Sequence, residues 1–283
     1  MRIKRNTIYF IIFIFAVMLF GCKSDDSKEV ETEKLPDYFG PELYNISCMV
    51  YDEKDEEVTQ YINLMTKIEI PEALETEIES TGGRFDYSIA AKKGDYKLDD
   101  YTLYEIEIVF KNIEFTDKVI NINEISIYDE NKQSIIVGMK PKKFEIQYLD
   151  GNYDNEDLIF SSIPLSLPRS MSDLTYELDA DANLTINEIK LSNSDFVITN
   201  ADDCRNIEMK KNQNTELVTA LFKVKEDELS EYTQYISSII FYYMVEDMEY
   251  VKMTPVTQVI YNPTLKYDDN LAEYYNEVIL KSN

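Results

Sequence analysis

The chain has 283 residues, with 28 Lys and Arg against 54 Asp and Glu, no histidine and a formal charge of −26. That balance excludes a nucleic-acid-binding role, because phosphate contacts need clustered cations and the densest groups are only Lys140, Lys142, Lys143 and Lys210, Lys211. Without histidine there is no Ser-His-Asp or Cys-His nucleophile and no histidine-bearing zinc site. The seven glycines form neither a phosphate-cradling loop nor a nucleophile elbow.

Arg2, Lys4 and Arg5 precede an uncharged, mainly apolar run from Thr7 to Phe20, which Leu19-Phe20-Gly21-Cys22 closes. A cationic start, an apolar core and a small residue at the end have the layout of a secretion signal. The uncharged span from Asn6 to Cys22 is 17 residues long, at the lower limit for a helix that crosses a bilayer. The closing four residues resemble the lipobox of bacterial lipoproteins, although Phe20 stands where a smaller residue is usual. The resemblance implies removal of residues 1–21, lipidation of Cys22 as the new N-terminus, and anchoring to the cell membrane on its extracytoplasmic side. Loss of the three basic residues leaves 25 basic against 54 acidic groups, a charge of −29. Such a body is repelled by anionic headgroups. Residues 22–41, polar at first and then carrying Pro36, Gly40 and Pro41, read as a disordered acidic tether.

Tyr and Ile outnumber Ala and Leu in the body, and β-branched and aromatic residues favour pleated, half-buried strands. Tyr44, Ile46, Cys48 and Val50 alternate as a first strand. Val58, Ile62, Leu64, Ile68 and Ile70 keep even spacing, while Val58, Tyr61, Ile62 and Met65 also fit a helix. Pro71 to Ser80 is acidic, and Thr81-Gly82-Gly83 is a turn signal. Tyr104, Ile106, Ile108 and Phe110 alternate with Glu105 and Glu107, the pattern of a sheet with one wet face. In Ile120-x-Ile122-x-x-Ile125-x-Ile127 the apolar side switches, which predicts a bulge near Asn123-Glu124. Leu184-x-Ile186-x-x-Ile189-x-Leu191 repeats the switch 64 residues later, with Ile-Asn-Glu-Ile at both places. Leu174, Tyr176 and Leu178 precede it as Tyr104 to Phe110 precede the first, so the pair reads as a duplicated unit.

Asp150 to Asp157 is a polar turn, and Pro164 and Pro168 bracket a stretch unsuited to a central strand. Downstream, Val218, Ala220, Phe222 and Val224 form a strand. Ile236 to Val245 is apolar on both faces apart from Ser237 and Ser238, as in a central strand. Tyr250 to Thr254 and Val256 to Tyr261 follow. Leu271, Tyr274, Tyr275, Val278 and Ile279 have helical spacing behind Asp268-Asp269-Asn270, a suitable cap. The predicted fold is therefore all-β, with two immunoglobulin-like antiparallel β-sandwiches behind the leader and tether and a short C-terminal helix. The division is residues 42–152 for the first sandwich and 153–283 for the second with the helix. Tyr104 to Asn112 followed by Ile120 to Gln133 resembles the strand-loop-strand core of Ig-like modules attached to bacterial lipoproteins. The cysteine pair and buried tryptophan of antibody domains are missing.

Two acidic loops carry partial calcium patterns. Asp150-x-Asn152-x-Asp154 has Asn155 and Ser161 where an EF-hand needs Gly and Glu, and Asp179-x-Asp181-x-Asn183 has Lys190 in the last place. Both therefore read as solvated turns. Tyr242, Tyr243 and Tyr250 cluster near one turn, where they can pack or bind. Cys48 and Cys204 are 156 residues apart and read as two buried thiols or a disulfide. The inventory assigns no catalytic residue, no metal ligand and no cofactor. It leaves a non-enzymatic module for a protein, peptide or glycan ligand, held to the membrane through Cys22. An accessory subunit of an envelope transporter or sensor is the alternative, and a carboxylate-dependent hydrolase the distant third.

Overall fold

A computed structural model describes residues 35–50, 57–71, 74–129, 131–153, 156–162, 166–167, 173–212, 215–225, 232–254, 257–260 and 267–281. Cys22, the leader and most of the tether lie outside the described residues.

The first sandwich is built from β1 (Tyr38–Phe39), β2 (Tyr44–Val50), β3 (Val58–Thr66), β4 (Glu75–Thr81), β5 (Gly83–Leu98), β6 (Tyr101–Phe115), β7 (Val119–Tyr128), β8 (Ser134–Met139) and β9 (Lys143–Tyr148). One sheet has the order β1-β3-β6-β5, and the facing one β2-β9-β7-β4 with β8 alongside β7. These are the A-B-E-D and A′-G-F-C orders of an immunoglobulin sandwich. Its G strand is broken by Pro141, which cannot donate to the ladder, so β8 and β9 each take part of it. Tyr44, Ile46, Cys48 and Val50 face Ile62, Leu64, Ile106, Ile108 and Phe110 across the core, so the even spacing of β3 resolves as strand.

The second sandwich has β10 (Leu158–Ser162), β11 (Ser166–Leu167), β12 (Asp173–Ala180), β13 (Leu184–Leu191), β14 (Phe196–Ile198), β15 (Ile207–Met209), β16 (Glu216–Val224), β17 (Gln234–Ser237), β18 (Ile239–Val245), β19 (Met248–Met253) and β20 (Thr257–Ile260). Sheet β10-β12-β16-β14 faces β15-β13-β18-β19. Tyr176, Leu178, Ile186, Val218, Ala220, Phe241 and Tyr243 fill the space between them. The Tyr176 ring stands edge-on to Phe241 at 5.2 Å. Its hydroxyl has no hydrogen-bond partner among the described residues, and burial pushes the phenol far above its ordinary value. An unsatisfied buried hydroxyl costs free energy that a methine does not. Tyr176→Phe is therefore expected to keep or raise the thermal midpoint, and a drop of several degrees in a melting curve would count against that account.

Both predicted bulges are present. The β4–β7 ladder passes from Glu79↔Glu124 to Ser80↔Ile122, leaving Asn123 out. The β13–β18 ladder passes from Ile186↔Tyr243 to Glu188↔Tyr242, leaving out Asn187. The duplication reading is corrected, however. The first copy runs from β6 to β7 and the second from β12 to β13, which are E-to-F and B-to-C arches at different places in their sandwiches. An offset of 64 residues therefore does not superpose one sandwich on the other.

The sandwiches share a sheet. β17 pairs in parallel with β2, from Gln234↔Tyr44 to Ser237↔Ser47, and antiparallel with β20. The resulting order is β11-β20-β17-β2-β9-β7-β4. Parallel pairings also join β2 to β9 and β11 to β20, so the sheets are mixed where antiparallel ones were predicted. The stretch read as one central strand is two elements. Ser238 is the break at which the chain leaves β2 and begins to pair with β13, at Ile239↔Leu191.

Two assigned boundaries also change. Tyr38–Phe39, inside the predicted 22–41 tether, is already strand and pairs with Thr66 and Met65. The closing helix α1 (Tyr267–Tyr274), extended by a π-helical turn Tyr275–Ile279, belongs by sequence to 153–283 but docks on the first sandwich. Leu271 and Tyr275 pack with Phe39, Leu43, Met65 and Tyr101, and the Phe39 and Tyr275 rings stack at 5.7 Å. Asp268 to Asn270 sit in the first turn rather than ahead of it, and Asn270 Nδ2 donates to Tyr232 O, tying the helix to the approach of β17.

The same dock holds a carboxylate. Glu42 accepts a hydrogen bond from Gly40 N at 2.9 Å, and its pKa is raised by burial, against the lowering influence of bonds from backbone amides and the Tyr274 phenol. Tyr275, raised by burial and by a bond to Asp99, is pushed up to about 12. A carboxyl group whose folded pKa is raised binds its proton more tightly in the folded state. Its contribution is full below the ordinary range near 4.5 and is lost as pH climbs through the raised value. Glu42→Gln keeps an acceptor for Gly40 without the buried charge. It is expected to melt higher than the parent at pH 7, with the gap closing as pH falls into the ordinary carboxylate range. Melts in which the gap widens toward low pH would refute the assignment.

Candidate interaction surface

The residues singled out from sequence are mostly occupied by the fold. Cys48 and Cys204 are thiols buried in separate cores. Tyr243 and Tyr250 are a cross-strand pair stacked at 5.8 Å in the second core. Tyr242 faces the other way, under Lys190 Nζ at 4.6 Å from its ring centre. Asp154 lies outside the described residues. Of its loop, Asp150 stands 3.9 Å from Lys118, and Asn152 Nδ2 donates to Glu249 O at 3.1 Å. In the second loop Asp179 accepts from Ser161, which lowers its pKa, and Asn183 Oδ1 accepts from Lys211 N at 3.0 Å. Among the described residues no three His, Cys, Asp or Glu side chains converge as a metal site would require.

A cleft of about 580 Å³ opens beside Phe115 and Tyr148, with Glu114 and Asp117 on its rim. Both carboxylates are exposed.

Each sheet has one outward face, and three of these are dressed in charge or covered. On the β1-β3-β6-β5 sheet, Glu105 and Glu107 face water, with the Tyr61 hydroxyl on Glu107 at 2.9 Å. On β4, Glu75, Glu77 and Glu79 do so. The outward face of β18 and β19 is capped by the segment between the sandwiches. There Val251 N donates to Asn152 O, Tyr153 bridges Val251, and Leu149, Met49 and Ile240 pack with them.

The fourth face differs. On the β10-β12-β16-β14 sheet, Leu217 is 63% exposed, Leu221 38%, Val197 38% and Ile159 36%. They alternate with Val218, Ala220, Phe222, Phe196 and Leu158, which point into the core, so the strand period itself turns them outward. Between the two leucines Thr219 pairs with Thr175, hydroxyl to hydroxyl at 2.9 Å. Glu177 stands opposite Leu217, Asp179 opposite Ile159, and Lys223 opposite Val197. Sequence reading placed Val218, Ala220 and Phe222 correctly. It passed over Leu217 and Leu221, although two leucines at outward positions of one strand were the signal to look for.

The whole is an all-β protein of two Ig-like sandwiches joined through one sheet, with Leu217, Leu221, Val197 and Ile159 exposed on an outward face of the second. No protein-family model matches the chain, and no curated protein matches it. Among solved structures it is similar to a marsupial T cell receptor, with a TM-score of 0.20 and 13% identity, over 75% of this chain and 96% of that one. A likeness of that size adds nothing to the strand order given above.

Proposed function

We propose that the chain is a lipid-anchored, non-enzymatic binding module that works on the extracytoplasmic side of a bacterial membrane and engages a protein or peptide. Leu217, Leu221 and Val197, exposed on the neighbouring strands β16 and β14, carry the binding part of the reading, because grouped outward apolar side chains mark interaction sites where scattered ones do not. The described outward side chains of that face include no aromatic ring, and stacking on sugars needs one, which favours a protein ligand over a glycan. The leader and Leu19-Phe20-Gly21-Cys22 support the anchor. Service as an accessory subunit of an envelope transporter or sensor would use the same face as a permanent contact.

Mass spectrometry of the native N-terminus tests the anchor, with a diacylglyceryl group on Cys22 expected and an intact Met1 excluding it. The binding part is tested by placing a photo-crosslinking amino acid in turn at exposed positions of both sandwiches in cells. At least one position should yield a specific protein adduct, and none at any position would remove the reading.

A further inference from the structure

We propose that the stripe of Leu217, Thr219, Leu221 and Val197 docks one protein partner whose contact face carries apolar side chains flanked by lysine or arginine. The inference rests on the binding reading above and names the surface and the chemistry it takes. Leu217 and Leu221 lie four residues apart on β16, about 13 Å at strand rise, with the threonine pair between them. Behind them Val218, Ala220 and Phe222 are locked in the core, so the stripe is presented rigidly and little ordering entropy opposes docking.

Charge selects the partner. Glu177 and Asp179 stand on the β10 side of the apolar side chains and Lys223 beside Val197 on the β14 side, on a chain of net charge −26. A second copy would bring a like net charge toward the first, and like charges brought together suppress a wrong partner. A cationic group beside an apolar centre would instead meet Glu177 and Asp179 with opposite sign. Geometry selects the mode. The edges of this sheet are β14, three residues long, and β10, whose ladder is irregular between Phe160 and Ser162. Short and irregular edges resist strand addition, so contact is made face-on.

The test uses the full-length chain in cells of its source, with Leu217 replaced by a benzophenone amino acid and, as a control, Tyr61. The expected result is one adduct from position 217 that position 61 does not give. The partner, identified by mass spectrometry and purified, should then bind with a Kd that rises at least tenfold between 50 and 500 mM NaCl, where surface charge is screened. Leu217→Asp with Leu221→Asp should weaken binding at least tenfold with an unchanged melting curve, and Glu177→Lys should flatten the salt dependence. An adduct between two copies of the chain, adducts only at other positions, or affinity indifferent to salt and to Glu177→Lys would each overturn the inference while leaving the binding reading standing. Adducts nowhere would remove both.

Discussion

Asn193→Leu is expected to lower the free energy of unfolding by about 3 kcal/mol, through the loss of a side chain that holds several buried polar groups at once. Asn193 Nδ2 donates to Asn45 Oδ1 at 3.0 Å and lies within reach of Asn45 O and Ile236 O, while its Oδ1 accepts from Asp195 N at 3.1 Å. These groups sit where β2 and β17 join the sandwiches and where β13 has just ended. Around them Ser237 Oγ accepts from Asn193 N, Ser238 Oγ accepts from Met49 N, and Gln147 Nε2 donates to both Ser47 Oγ and Ser192 O. The serines and amides hold backbone groups whose ladder partners change as the chain crosses from one sandwich to the other. A leucine of similar volume leaves Asn45 Oδ1 and Asp195 N without Asn193. Each such buried orphan costs about 1–3 kcal/mol, more than the added apolar contact returns. For a chain of this size the thermal midpoint should fall by about 6–12 °C, at about 2–4 °C per kcal/mol. A shift under two degrees by circular dichroism would show the seam to be incidental to stability.

The seam also shows where sequence reading ran out. Ser237 and Ser238 were visible as the polar interruption of an apolar run. A strand that keeps one partner and a strand that changes partners at a serine have the same composition, and only long-range pairing, Ser237 with Ser47 on one side and Ile239 with Leu191 on the other, separates them. Bulges were legible because a switch of apolar side within one strand is a local signal, and Asn123 and Asn187 are both left out of their ladders. The long strand β5 was missed although Phe85, Tyr87, Ile89 and Ala91 alternate, because they are only partly buried at a sheet edge and are diluted by charge. The helix was legible from the spacing of Leu271 and Tyr275. Its resting place was not, because nothing local in 267–281 says that Phe39 and Tyr101 await it rather than the nearer strands. The exposed leucines fell to the same limit, since apolar residues on both faces of β16 read as burial on both faces until the tertiary contacts are known.

Gly82→Ala is the second large effect, expected to cost about 4 kcal/mol from strain and overlap together. Gly82 is the link at which the chain leaves β4 in one sheet and enters β5 in the other, and it has φ +91. A side chain disfavours that backbone region. Its carbonyl accepts from Thr116 N and Asp117 N, each at 3.0 Å, so the turn is tied to the end of β6 and cannot open to a relaxed dihedral without breaking both. A Cβ would also overlap the Val119 carbonyl oxygen, and backbone does not yield as a flexible side chain would. Gly83 is almost as confined, since a Cβ there would stand 2.5 Å from Glu114 O. Gly94 provides the control. It lies in the same long strand, but an added Cβ there meets only ordinary contacts at 3.4 Å and beyond. Gly94→Ala should therefore change stability by no more than about 0.5 kcal/mol. Urea titrations of the two variants side by side would decide the matter, and equal midpoints would mean that the crossing at Gly82 is free to rearrange.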